Sequence, residues 1–119
     1  MADYYLVTRA KGPAWDDARG WREQAGWAEH AAFMDALVED GFVLLGGPAG
    51  DGQHVLLAIE AAGEPSLRDR LAADPWAAMG LLRVGAVEPW ALWLDGRPLS
   101  AATADLGGQA RQVSGAPPL

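Results

Sequence analysis

The chain has 119 residues, half of them apolar and 21% charged, enough for one domain around a single core and too few for two ordinary ones. Sixteen acidic against nine basic side chains leave a formal charge of −7, which argues against a surface that tracks the phosphates of nucleic acid or an anionic membrane, because such surfaces cluster Lys and Arg. With no cysteine, a disulfide framework, a thiol nucleophile, a Cys-ligated zinc and an iron–sulfur cluster are all excluded.

In chain order, residues 4 to 9, Tyr-Tyr-Leu-Val-Thr-Arg, combine aromatic and β-branched types over strand length and stop before a Gly12-Pro13 break, so they predict a first strand. A loop through Trp15 and Gly20 leads to a helix over 23–40, ended by Gly41 where a left-handed residue is expected. At 100° per residue, Trp27, His30, Ala31, Met34, Leu37 and Val38 share one face of that helix, which turns His30 inward. The apolar runs 42–45 and 55–59, separated by Gly46-Gly47-Pro48 and a turn-rich segment, predict two strands joined as a hairpin with a long loop. Pro65 and Ser66 start a helix that Asp74-Pro75 should end, because the residue before a proline is pushed out of the α region. A short turn over 76–79 closes at Gly80, and residues 82–94 predict a last strand interrupted at Pro89, hence at a sheet edge or bent.

The order β-α-β-β-α-β is the split βαβ arrangement, which predicts an α+β domain over 1–94 with a four-stranded antiparallel sheet and two helices on one face. Strands 4–9 and 55–59 are apolar on both alternating sets, so the face without helices also needs cover, and the same face of a second copy supplies it. A homodimer is expected. Residues 95–119, rich in Ala, Gly, Ser, Gln and Pro with Leu99, Leu106 and Val113 as anchors, predict a flexible or partner-embracing tail. The opening residues 1–4 show no basic region followed by an apolar stretch, and no apolar run approaches the roughly 20 residues that span a bilayer, so the cytoplasm is the expected address.

Four segments together resemble the YciI-related (YCII domain) family of dimeric α/β-barrel proteins: E-H-A-A-F-M-D-A-L around His30, D-G-F-V-L-L-G-G-P over 40–48, A-D-P-W over 73–76, and the E-P-W that ends at Trp90. The resemblance covers about residues 4–94. It implies a ferredoxin-like fold, and it implies His30 and Asp74 as a catalytic dyad, since both motifs match. The segment 12–20 and the tail depart from a compact member of that family.

The pair makes chemical sense. An imidazole exchanges protons near neutrality, and a carboxylate on its second nitrogen fixes the tautomer and stabilises the imidazolium. Each residue also has a plain structural reading. An inward His is commonly a satisfied core residue, Asp before Pro is a good helix N-cap, and tryptophans are usually packed in cores. Around the dyad, Arg9 is placed to hold a carboxylate or phenolate, Gly47 to let a ligand approach the backbone, and Trp76 and Trp90 to wall a planar ligand. Arg83 and Arg97 are further candidate cations, and His54 is expected at the surface. Neither histidine stands at metal-ligand spacing from carboxylates, so no metal and no cofactor are expected. The expected activity is isomerisation, elimination or enolisation of a small organic metabolite without a cofactor. The alternatives are a noncatalytic module that binds a small molecule in the same pocket and, more remotely, haem or oxygen chemistry with His30 on the iron.

Overall fold

The computed structural model describes residues 3–97. Its elements are β1 (Asp3–Lys11), a 3-10 turn (Trp21–Glu23), α1 (Trp27–Glu39), β2 (Val43–Ala49), β3 (His54–Ala61), α2 (Glu64–Ala72), α3 (Pro75–Ala78) and β4 (Leu82–Pro89). The strands form one sheet in the order β2-β3-β1-β4, with every neighbouring pair antiparallel. The class is α+β. The expected tail lies outside the described residues beyond Arg97.

Alternation in the two inner strands decides where the core sits. Tyr5 and Val7 of β1 and Leu57 and Ile59 of β3 are buried, and they join Leu37 of α1 and Leu67 and Leu71 of α2 in one cluster. Both longer helices therefore cover the same face of the sheet. On the other face Tyr4, Leu6, Thr8 and Leu56 are half-buried and Leu45 is exposed. At one end of that face the chain after β4 turns back, and the Arg97 guanidinium lies over the Tyr4 ring.

Several boundaries differ from the sequence expectation. The first helix starts at Trp27, not residue 23, because the preceding residues form the separate 3-10 turn and Gly26 turns left-handed. Its end is as expected: Gly41 is left-handed, its N–H donates to Val38 O, and Phe42 N–H donates to Leu37 O, which satisfies two terminal carbonyls. Val38 is exposed rather than core-facing. β2 runs on through Gly46, Gly47 and Pro48, and β4 stops at Pro89. Both prolines are thus on the edge strands of the sheet, where a missing N–H costs least.

The loop between β1 and α1 is held in place by contacts that have no periodic signature. Gly12 N–H donates to Leu81 O and Ala14 N–H to Gly80 O; a Cβ on Gly12 would sit 2.1 Å from Gly80 O, so only glycine permits this approach. The buried Gln24 amide donates to Asp16 O and Arg19 O and accepts from Asp16 N–H. So tied, the loop packs Trp15 and Trp21, with Trp27, against Trp76, Leu81 and Leu82 in a second cluster.

Candidate functional site

Asp74, Arg9, His30 and Trp76 meet where the two clusters adjoin. Asp74 has extended backbone angles, as a residue before proline should, and serves as N-cap of α3: its Oδ1 accepts from Trp76 N–H at 2.9 Å. Arg9 follows Tyr5 and Val7 on the helix-facing side of β1 and is only 1% exposed. Its Nη1 donates to Asp74 Oδ2 at 2.7 Å. Beside it, β4 carries a bulge: Val7 pairs with Val87 but Arg9 pairs with Val84, which leaves Gly85 and Ala86 opposite Thr8. His30 lies one turn into α1, 8% exposed, with Nδ1 2.9 Å from both oxygens of Asp74 although 44 positions separate them. The imidazole is stacked on Trp76, centroids 3.9 Å apart and planes 6° from parallel, and Trp76 is itself anchored by Nε1–H donating to Ala25 O at 2.8 Å.

Burial pushes the Asp74 carboxyl up, but hydrogen bonds from His30, Trp76 N–H and Arg9, together with the Arg9 charge, outweigh it and hold the group below the ordinary carboxylate range. An ionised carboxylate only accepts, so the proton between Asp74 and His30 belongs to Nδ1. The neutral imidazole then keeps its lone pair on Nε2, which has no hydrogen-bond partner among the described residues. Because Arg9 already balances Asp74, the imidazole need not be charged for the buried cluster to be neutral. The arrangement orients a base, and it stabilises the imidazolium formed when that base takes a proton.

Of the residues singled out in the sequence, these four come together, and of the others only Arg83 lies beside them, on the wall of a cavity that Arg9 also lines. Trp76 is fully buried, with His30 on its face and Trp15 and Trp27 against it, so it orients the imidazole. Gly47 lies on the edge strand β2, paired with Leu56, whose alternation places it on the sheet face away from the helices. Trp90 is 40% exposed and its N–H donates to Tyr4 O, at the end of β1 opposite Arg9. Arg97 is at that same end, paired with Asp95, and Arg83 is exposed. His54 is half-buried at the start of β3. No group of three or more His, Asp or Glu able to hold a metal occurs among the described residues. No helix among them is long and apolar enough to cross a membrane.

What sequence reasoning undervalued is the depth of Arg9. A strand-end arginine is usually solvated, but Tyr5, Val7 and Arg9 are in phase, and that phase was the available signal. A cavity of about 290 Å³ adjoins the cluster on the Arg9 side, between α2 and β4, walled by Arg9, Leu71, Leu82 and Val84 with Arg68 and Arg83 also lining it. No protein-family model, curated protein or solved structure matches this chain.

Proposed function

We propose that this protein is a YciI-related, ferredoxin-like homodimer of the cytoplasm that performs cofactor-independent general acid/base chemistry on a small organic metabolite, by isomerisation, elimination or enolisation. The observation that carries this reading is the buried Asp74 carboxylate, accepting from His30 Nδ1 while Arg9 balances its charge. In this reaction Nε2 of His30 takes a proton from the substrate, Asp74 and the Trp76 ring stabilise the imidazolium, and the same nitrogen returns the proton at a second position. The cation–π contact with Trp76 adds roughly 0.5–2 kcal/mol to that stabilisation. The strand order and the single helix-covered face support the ferredoxin-like reading, and the half-buried apolar residues of the uncovered face, with exposed Leu45, support a dimer formed there.

A second reading, a noncatalytic module that binds a metabolite, is favoured by how little of the imidazole is accessible. One experiment separates the two. A panel of small organic metabolites is screened by thermal shift, and each hit is then assayed for turnover with wild type, His30→Gln and Asp74→Asn. Loss of a positioned acid/base costs about 10²–10⁴ in rate, so His30→Gln should lose that much turnover while still binding. Full turnover in His30→Gln would end the catalytic reading, and binding without turnover in the wild type would establish the second one.

A further inference from the structure

Arg9 is more than a counter-ion for Asp74. Of its three side-chain nitrogens only Nη1 is engaged, with Asp74 Oδ2 at 2.7 Å and more weakly with Met34 Sδ at 3.9 Å. Nε and Nη2 are buried and have no hydrogen-bond partner among the described residues. Leaving a buried charged donor unpaired costs more than leaving a neutral one, so two such N–H groups on one guanidinium, 1% exposed, call for an occupant. The two belong to the same edge of the guanidinium, the fork that receives both oxygens of a carboxylate in parallel hydrogen bonds. With Nη1 taken by Asp74, this is the edge left for a ligand, and the cavity that Arg9 helps to wall lies against the same side chain.

We infer that this cavity binds a small organic monocarboxylate, its carboxylate on the Nε–Nη2 edge of Arg9 and its apolar body against Leu71, Leu82 and Val84. Charge balance selects a monoanion. Arg9 is offset by Asp74 and Arg68 by Glu64, which leaves Arg83, with no ion-pair partner among the described residues, as one net positive charge on the wall: it matches a monoanion and falls short of a doubly charged phosphate. The wall beyond the three arginines, Arg9, Arg68 and Arg83, is apolar, which suits a hydrocarbon body better than a bare ion. At about 290 Å³ the space is at the small end of the roughly 300–1,000 Å³ usual for ligand pockets, so the acid is small. The inference goes beyond the proposed function, because His30 does not line this cavity, and it couples the two places: the guanidinium that would hold the ligand also holds the carboxylate that orients His30.

The test uses the full chain, ¹⁵N-labelled, with the Arg9 Nε–H resonance followed during titration by benzoate, by its uncharged isostere benzamide, and by inorganic phosphate. Benzoate should shift that resonance saturably, and benzamide should bind at least about tenfold more weakly, the loss expected when a charge-assisted pair is removed. Phosphate should bind more weakly than benzoate. Arg68→Glu, an exposed change that leaves the buried cluster intact, should weaken benzoate severalfold. A resonance unmoved by benzoate, or moved equally by phosphate or by benzamide, would overturn the inference. Because His30 does not line the cavity, His30→Gln should bind benzoate as the wild type does. Binding of benzoate thus tests the anchor, and loss of turnover in His30→Gln tests the base, each separately.

Discussion

Tyr5 and Val7 leave β1 on the same face as Arg9, yet the two ends of that face are opposite in kind. At one end the strand packs Ile59, Leu67 and Leu71 in an apolar core. At the other it buries a guanidinium, a carboxylate and an imidazole together. Apolar burial contributes about 1.5–3 kcal/mol for each large side chain, whereas a buried ion pair is often no more stabilising than apolar residues of the same shape. The first end is what stability alone selects. The second is what the proposed acid/base chemistry calls for.

The largest expected effect breaks the polar end. Asp74→Asn keeps a capping oxygen but leaves Arg9 charged and unpaired, so it should destabilise the protein by about 3–5 kcal/mol in urea unfolding. If stability is the purpose of the cluster, adding Arg9→Met to that variant should make matters worse. If it is not, the double variant should recover most of the loss. At the apolar end Ile59→Val should cost only about 0.5–1.5 kcal/mol and leave ligand binding unchanged.

Acid sharpens the contrast further. The Asp74 carboxyl lies below its unfolded value of about 3.9, so its contribution to stability is complete above that pH and is lost as pH falls through the folded value. The wild type should therefore lose stability below about pH 4 more steeply than Asp74→Asn, measured as urea midpoints across pH. Ile59→Val should parallel the wild type. The smallest effect belongs to the surface: Arg68→Ala, which removes the exposed pair with Glu64, should change stability by less than about 1 kcal/mol.

Much of this was legible in the sequence, for physical reasons that also explain what was not. Periodicity turned His30 inward and the proline rule placed Asp74 at a helix start, and tertiary packing brought the two within hydrogen-bonding distance. The same alternation rule applied to Arg9 gives its burial, but a charged residue next to a Gly-Pro break reads as an end and not as core. The tryptophan cluster was hidden because Trp15 and Trp21 sit in a segment without a period, held by the Gly12–Gly80 approach and the Gln24 amide. Trp90 shows the converse. It was expected to wall a ligand beside the dyad, but strand register puts it at the far end of the sheet from Arg9.

The central claim, that Asp74 orients His30 as a base, is tested most directly by the tautomer of His30 in its neutral form, read from long-range ¹H–¹⁵N correlations of the imidazole. The account predicts the proton on Nδ1, hydrogen-bonded to Asp74, with Nε2 bare, and a loss of that preference in Asp74→Asn. A proton on Nε2 in the wild type would set one lone pair against a carboxylate, leave no base to act, and contradict the account.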